Sequence, residues 1–263
     1  MTALVSRIFV AALLLPPVFL LIWGGGWWLF ALAAVVALVA LHEFYVMTRE
    51  LRPVLLAGYA GTVAALVGAE WRPEWALAGF LSTFGFAFVF KGLAGVRPSA
   101  ISTATTVLGA AWIGLGLAHM IFIRQIPEHG ALAAFTVLLA VFAADTAAYL
   151  AGRFLGRHKL APRTSPGKTW EGLVAGSIVA VVVPFFALYE QDFLDVPQSL
   201  VLGAAIAVAA PIGDLFESAL KRDAGVKDTG RLLLGHGGML DRLDALLFAG
   251  VVSFYLLVAF GAT

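Results

Sequence analysis

The sequence predicts an all-α, polytopic integral membrane protein with about nine transmembrane helices. Of its 263 residues, 61% are apolar and only 13% are charged, whereas a soluble domain carries roughly 25% charged residues. Several uncharged stretches reach the roughly 20 residues that a membrane-spanning helix needs; they cover residues 8–42, 54–69, 98–123 and 245–263. This composition excludes a soluble enzyme, and the absence of cysteine excludes a disulfide or a thiolate metal site.

Apolar length, interrupted by Gly, Pro and charged residues, places the helices in order. The first two form a hairpin that turns at Gly24, Gly25 and Gly26, and no small-x-small cleavage site of a signal peptide follows. Pro16 and Pro17 interrupt the first helix, so we expect it to kink or to cross only part of the bilayer. The predicted helices cover residues 8–23, 27–47, 54–69, 75–91, 100–123, 131–152, 172–189, 198–220 and 243–260.

The distribution of basic residues predicts the orientation. With a cytosolic N-terminus, 15 of the 17 Lys and Arg residues fall on the cytosolic side, and only Arg72 and Arg124 fall outside. The positive-inside rule therefore favours a cytosolic N-terminus and an external C-terminus. Residues 1–130 are expected to be a lipid-embedded scaffold of transmembrane helices. Residues 131–263 are expected to be a transmembrane catalytic region with two long cytosolic loops, at 153–171 and 221–242.

Two carboxylates interrupt the apolar stretches. Asp145 lies in the sixth predicted helix and Asp214 in the eighth, where Ser218 and Lys221 share its helical face. Ionisable groups in such helices cost at least a few kcal/mol each and usually mark a function. The alternative is a buried carboxylate that is hydrogen-bonded for packing alone. We favour a functional role for both.

The segment that follows the eighth predicted helix is dense in charge and glycine. Its carboxylates are interleaved with cations: Asp223, Asp228, Asp241 and Asp244 alternate with Lys221, Arg222, Lys227, Arg231 and Arg242. Asp241 and Asp244 stand three apart, which predicts one shared face of the ninth helix. Gly235, Gly237 and Gly238 precede them, and their amides can approach a phosphate closely. The alternative is a solvated charge run.

Carboxylates, glycine amides and cations together are what a magnesium nucleotide site requires. Magnesium is bound by one or two carboxylates together with substrate phosphates, and Lys and Arg neutralise the charge that develops on phosphorus. Asp214, Asp241 and Asp244 are therefore candidate metal ligands. His236 is a poor zinc candidate, because no second histidine lies at helical spacing. We expect it to donate a hydrogen bond to a phosphate or only to shape the turn.

The other long loop contains RTSPGKTWEG, at residues 163–172. Gly167, Lys168 and Thr169 are similar to the end of a Walker A loop, but that motif needs glycine at position 162, where this chain has Pro162. The P-loop interpretation therefore fails. Lys168 remains, in a predicted Pro-Gly turn before a helix N-terminus, as a phosphate contact or as an interfacial anchor.

The run from Ser218 to Asp244 reads S-x-x-K-R-x4-K-D-x-G-x5-H-G-G-x-x-D-R-x-D. It closely resembles the signature of phosphatidate cytidylyltransferases, also called CDP-diacylglycerol synthases. The resemblance extends to SPGKTWEG and to the Asp-x3-Tyr-x2-Gly-Arg pattern at Asp145, while the first 130 residues match only in being hydrophobic. One departure is Leu234, where the family usually has proline or glycine; it removes no chemical group.

The resemblance implies a reaction: CTP and phosphatidate give CDP-diacylglycerol and pyrophosphate, for phospholipid biosynthesis. It implies Mg²⁺ as the cofactor, with a second cation left open, a homodimer in the lipid bilayer and no nucleic acid partner. The expected location is the bacterial inner membrane, with the active site facing the cytosol. It also implies site residues: Asp214 and Asp241 as metal ligands, with Asp145, Lys168, Lys221, Arg222, Asp223, Asp228, His236, Gly237, Gly238, Arg242 and Asp244 as further members.

Two other functions stay open at this point. A CTP-dependent polyprenol or phytol kinase would transfer the γ-phosphoryl group to an alcohol. A cation-coupled secondary transporter would use Asp145 and Asp214 as a relay. The transporter predicts polar residues along a path through the helices, but the first five helices contain almost none, and the ionic groups are predicted at one membrane face.

Overall fold

The computed structural model describes residues 16–95, 99–230 and 237–263. The predictions for Arg231, Leu234, Gly235 and His236 therefore lie outside the described residues. The described chain is helical apart from short connections and one small β-hairpin. Residues 16–24 are helical, although they include Pro16 and Pro17. The helices that follow are α1 Gly26–Met47, α2 Leu55–Ala69, α3 Pro73–Leu93, α4 Ala100–Arg124, α5 Gly130–Phe154, α6 Trp170–Leu188, α7 Val196–Asp223 and α8 Asp244–Ala259.

Six helices of the described chain are long and apolar enough to cross a membrane, namely α1, α3, α4, α5, α6 and α7. Helices α2 and α8 are apolar too but shorter, at 15 and 16 residues. This architecture is consistent with an integral membrane protein. The number of nine spanning helices and the orientation of the termini stay predictions.

A glycine turn separates residues 16–24 from α1, as predicted. Gly25 and Gly26 have φ of 61° and 51°, in the left-handed region that glycine adopts without a steric penalty. Arg124, at the end of α4, donates from Nε to the Ile22 carbonyl at 2.8 Å and from Nη2 to the Trp23 carbonyl at 2.6 Å. The guanidinium thus satisfies helix-terminal carbonyls that would otherwise lack partners.

Side-chain caps define the starts of α6 and α7. The Thr169 hydroxyl accepts a hydrogen bond from the Gly172 amide at 3.1 Å at the start of α6. Helix α7 begins with a capping box, in which Asp195 accepts from the Gln198 amide and Gln198 accepts from the Asp195 amide. These caps fix where the connection between α5 and α6 ends and where α7 begins.

A two-stranded antiparallel hairpin lies in the segment 153–171, which was predicted to be a long cytosolic loop. Strand β1, Lys159–Ala161, pairs with β2, Ser165–Thr169, so that Lys159 lies opposite Thr169 and Ala161 opposite Ser165. The all-α prediction therefore missed this hairpin. Lys168 is in a strand and not in a Pro-Gly turn.

The described chain divides into two compact units. The first contains the described residues up to Gln125 together with Val226–Arg242, and the second contains Ile126–Gly225 with Leu243–Thr263. In the first unit, Leu41, Phe44 and Tyr45 of α1 are fully buried. In the second, Leu202 and Ile206 of α7 are fully buried. The described residues of the segment 226–242, which the sequence analysis assigned to the C-terminal region, belong to the first unit.

Candidate functional site

A buried carboxylate organises the polar part of the first unit. Glu43, near the C-terminal end of α1, is only 6% exposed. Its Oε2 atom accepts a hydrogen bond from the Leu240 amide at 2.9 Å and lies 3.4 Å from the Thr229 hydroxyl. We call Glu43, Thr229, Gly230, Gly238, Leu240 and Asp241 the Glu43 cluster.

Asp241 is held by the same cluster. Its Oδ2 atom accepts from the Gly238 amide at 2.7 Å, from the Thr229 hydroxyl at 3.0 Å and from the Thr229 amide at 3.2 Å. Three donors on one oxygen fix the orientation of the carboxylate. Asp241 lies in a short 3-10 helix, Leu240–Arg242, so the expectation that it shares a face of the last helix with Asp244 is wrong.

Two glycines make the close approach around Glu43 feasible. A Cβ atom added at Gly230 would overlap Glu43 Oε1, and one added at Gly238 would overlap the Thr229 hydroxyl and Glu43 Oε2. The predicted phosphate contact of the Gly238 amide has a competitor, since this amide donates to Asp241. Gly237 has a φ of 79°, which favours glycine at this turn.

An apolar cavity of about 930 Å³ adjoins the Glu43 cluster within the first unit. Leu38, Val39 and Val63 form part of its apolar wall, and Glu43 and Thr229 contribute polar atoms. At its edge, His42 Nδ1 and the Tyr59 hydroxyl are 2.8 Å apart. The cavity therefore lies between α1, a helix long and apolar enough to cross a membrane, and the segment that carries Asp241.

In the second unit, the structure brings Lys168 to Asp214. Lys168 Nζ of β2 lies 2.6 Å from Asp214 Oδ2 of α7, and the two side chains are 21% and 32% exposed. The Ser218 hydroxyl donates to Asp214 Oδ1 at 3.4 Å, as the i, i+4 spacing predicts. Lys168, Asp214 and Ser218 form what we call the Lys168 cluster.

Lys221 was expected to share the face of Asp214, but its ion-pair partner is Glu217. Lys221 Nζ lies 2.5 Å from Glu217 Oε2, and the Glu217 side chain is fully buried. An i, i+4 pair of this kind neutralises both charges within one helix. Lys221 is therefore positioned by a carboxylate that the sequence analysis did not consider.

Asp244 is buried at the start of α8, at 7% exposure. Its carboxylate lies within electrostatic reach of Asp214, Glu217 and Asp145, and Oδ1 accepts from the Ala245 amide at 2.7 Å. Helices α7 and α8 approach closely here, because a Cβ added at Gly213 would overlap the Asp244 carbonyl oxygen. The second unit thus gathers several carboxylates around the Lys168 cluster.

The hairpin that carries Lys168 is fastened at both ends. Arg222 Nε, near the end of α7, donates to the Thr164 carbonyl at 3.2 Å. At the other end, His158 Nδ1 lies 2.6 Å from Glu171 Oε1 in the first turn of α6. These contacts hold the hairpin against helices of its own unit. They therefore fix the position of the strand that carries Lys168.

Five of the predicted site residues lie at the surface. Asp145, Arg222, Asp223, Asp228 and Arg242 are exposed. Within the part of the chain that the structure describes, no three His, Asp or Glu side chains come together as a metal site. Asp214 and Asp241 belong to different units, so their shared role as metal ligands stays a prediction.

The sequence analysis missed three carboxylates with defined contacts: Glu43, Glu171 and Glu217. The signal for Glu43 and Glu217 was present, since each is an acidic residue within or at the end of an apolar helix. Glu171 stands in the first turn of α6, where an acidic residue is also favoured by the helix dipole. Because the helix dipole alone accounts for an acidic residue at this position, the sequence offered no reason to expect its contact with His158.

The fold and these two clusters define a class: an apolar helical protein, consistent with membrane insertion, whose carboxylates are held by hydrogen bonds in the Glu43 cluster and by an ion pair in the Lys168 cluster. A model of the cytidylyltransferase family matches residues 5–260. The chain belongs to this family.

Relatives in bacteria are similar over different lengths. The phosphatidate cytidylyltransferase of Staphylococcus haemolyticus is 33% identical over 227 residues, which cover 84% of this chain and 86% of that protein. The Staphylococcus aureus protein of the same name is 33% identical over 228 residues, with the same coverage. That of Haemophilus influenzae is 43% identical over 128 residues, covering 47% of this chain and 44% of the relative.

Proposed function

We propose that this protein transfers the cytidylyl group of CTP to phosphatidate, giving CDP-diacylglycerol and pyrophosphate for phospholipid biosynthesis. The observation that carries the proposal is the similarity to phosphatidate cytidylyltransferases over 84% of the chain, within a family match to residues 5–260. The ion pair between Lys168 and Asp214 adds support, because it brings together two predicted site residues that lie far apart in the sequence.

The reaction is chemically coherent without a strong general base. The nucleophile is a phosphomonoester oxygen, which is already largely ionised at neutral pH by analogy with the second pKa near ~6 of phosphorylated side chains. This oxygen forms a bond to the α-phosphorus of CTP, the bond from that phosphorus to the bridging oxygen breaks, and pyrophosphate leaves. Positioning and neutralisation of charge are then the main tasks of the protein.

The basic residues of the site have roles that fit this task. Lys168 is the proposed phosphate contact, since it is held at the Lys168 cluster and is still 21% exposed. Lys221 and Arg222 are proposed to neutralise triphosphate or leaving-group charge. Exposed Arg222 is anchored through Nε to the Thr164 carbonyl, and this contact fixes the position of its guanidinium group.

The donor set fits a magnesium ion. Magnesium takes oxygen ligands and is usually bound by one or two carboxylates together with substrate phosphates, so a cluster of three protein carboxylates is not required. Asp214 and Asp241 are the proposed ligands. The ion would supply charge neutralisation at the phosphates. Asp145, Asp223, Asp228, Asp244, His236, Gly237, Gly238 and Arg242 are proposed as further members of the site.

The location and assembly are also proposals. The 15 basic residues assigned to one side support an active site that faces the cytosol, in a bacterial inner membrane. In that arrangement the acyl chains stay in lipid while the triphosphate stays in water. A homodimer is proposed from the resemblance to the family.

The test uses purified full-length protein in detergent with CTP labelled at either the α- or the γ-phosphorus. Phosphatidate should take up the α label, with release of pyrophosphate that depends on added lipid. Diacylglycerol is the matched control acceptor, because it has the same acyl chains but no phosphate. Transfer of the γ label to an alcohol would show a kinase and overturn the proposal.

A further inference from the structure

We propose that Glu43 is a positioning residue for the reaction, which fixes the segment around Asp241 and so sets the orientation of the Asp241 carboxylate. Glu43 lies in the N-terminal half of the chain, outside the motifs that resemble the family signature. The catalytic part of this inference rests on the proposed function. Its structural part, the fixing of the segment, does not.

The first step of the argument is the burial of Glu43. At 6% exposure, its carboxylate is removed from water, and a buried polar group is costly unless hydrogen bonds compensate it. Oε1 has no hydrogen-bond partner within the described part of the chain. Oε2 has the Leu240 amide at 2.9 Å. A carboxylate kept at this cost, in an apolar helix, is more readily explained by a function than by stability.

The second step is the path from Glu43 to Asp241. The Thr229 hydroxyl lies 3.0 Å from Asp241 Oδ2 and 3.4 Å from Glu43 Oε2. A hydroxyl carries one proton, and the shorter distance assigns it to Asp241. Glu43 therefore acts on Asp241 through two contacts: its Oε2 atom packs against the Thr229 hydroxyl oxygen at 3.4 Å, and it accepts from the neighbouring Leu240 amide at 2.9 Å.

The third step is the fit of the segment around the carboxylate. Gly230 and Gly238 both pack so closely on Glu43 that a Cβ at either position would overlap one of its oxygens. The segments that contain Gly230 and Gly238 thus leave room for this carboxylate only because they have glycine at these positions. A residue that merely filled space at this position would not require two glycines and a backbone donor.

The test compares Glu43→Ala and Glu43→Gln with a matched control, Glu70→Gln. Glu70 belongs to the same unit but directly follows the last residue of α2, seven residues beyond Val63 of the cavity wall. Burial raises the pKa of its carboxyl above the ordinary value, and a hydrogen bond from Gln125 opposes that shift. Glu70→Gln therefore removes a partly desolvated carboxylate without touching the segment at Asp241.

For Glu43→Ala we expect kcat to fall by about tenfold or more, while KM for CTP and for phosphatidate changes by less than about threefold. Glu43→Gln should recover part of the loss, since its carbonyl oxygen can still accept from the Leu240 amide. Glu70→Gln should keep near-normal kcat. A Glu43→Ala protein that melts normally and keeps near-normal kcat would overturn the proposal.

A second measurement does not depend on activity. Hydrogen exchange of the Thr229, Gly238 and Leu240 amides, measured by mass spectrometry without substrate, should accelerate by about tenfold in Glu43→Ala. Exchange in α3 should stay unchanged. Unchanged exchange at these three amides would refute the fixing role even if the wild-type protein is an active cytidylyltransferase. Accelerated exchange in a protein without that activity would instead refute the proposed function alone.

Thr229→Val supplies the final arm, because it removes the hydroxyl with almost no change of shape. If Glu43 acts through Thr229, the double variant Glu43→Ala with Thr229→Val should lose little more kcat than the worse single variant. Losses that multiply would show independent roles and contradict the proposed path.

Discussion

Replacing Lys168 by alanine removes the cation of an ion pair that links the hairpin to α7. The pair is short, at 2.6 Å, and its side chains are about a fifth and a third exposed. Exposed pairs contribute less than about 1 kcal/mol, whereas removing one partner of a fully buried pair costs about 3–5 kcal/mol. We therefore expect Lys168→Ala to cost about 1–2 kcal/mol of stability, or a few degrees of melting temperature.

The expected effect on activity is separate from this loss of stability. At an anionic phosphate, Lys168 would add its charge to the amide dipoles at the N-terminus of α6, which contribute up to about 1 kcal/mol when exposed. Cytidylyl transfer by Lys168→Ala should fall by more than about tenfold, which corresponds to about 1.4 kcal/mol of lost transition-state stabilisation. Lys168→Arg should restore only part of it, because a guanidinium fork differs in shape from a compact ammonium.

The assay is transfer of label from α-labelled CTP to phosphatidate at saturating magnesium, well below the melting temperature of each variant. Lys159→Ala is the matched control, because Lys159 lies in the other strand of the hairpin, opposite Thr169, and is exposed. It should keep near-normal activity. Equal losses in the two variants, or an equal loss of binding for lipids with and without a phosphate, would make Lys168 a general membrane anchor and refute its place in the site.

Three further predictions follow from the structure and the sequence. Asp241→Asn should leave the protein folded in detergent, because the amide oxygen can still accept the three hydrogen bonds to Oδ2. It should abolish turnover, because an amide is a poor magnesium ligand. Near-normal activity at limiting magnesium would rule out the metal role. A reporter fused after Thr263 should behave as external, and cytosolic reporter activity would mean that the predicted number of spanning helices is wrong by an odd number. Gly213→Ala should destabilise the protein by about 1–3 kcal/mol, since a Cβ there overlaps the Asp244 carbonyl, whereas Gly85→Ala, with open space around it in α3, should be neutral or slightly stabilising in thermal unfolding.

The helices were predictable because their signal is local. A long run of apolar residues predicts a helix that could span a membrane, whatever the helix packs against. The turn at Gly25 and Gly26 was predicted from the glycines between two such runs. The contact from Ser218 to Asp214 was predictable for the same reason, since i, i+4 neighbours share a face in any α-helix. These parts of the fold depend on residues that are close in sequence.

The hairpin and the Glu43 cluster were not predictable, because their causes are not local. Strand β2 contains Pro166 and Gly167, which are both uncommon in strands, so its sequence indicates a turn. Glu43 is 186 residues from Thr229 and 197 from Leu240, and no spacing rule relates such positions. Only the general rule that an ionisable group in an apolar helix is unusual pointed to Glu43.

The net charge of the chain does not indicate an anionic substrate, because the charges are paired locally. Seventeen basic and sixteen acidic residues leave a formal charge of +1, which by itself indicates no polyanionic substrate. In the second unit, however, Lys168 is paired with Asp214 and Lys221 with Glu217. Each of these cations is therefore neutralised by a carboxylate in direct contact with it. Local cancellation is what allows cations to be kept beside apolar helices at a tolerable desolvation cost. A site for anionic substrates in a membrane protein is therefore recognised by the positions at which its cations are held. The net charge does not reveal it, because paired cations and carboxylates cancel in the sum.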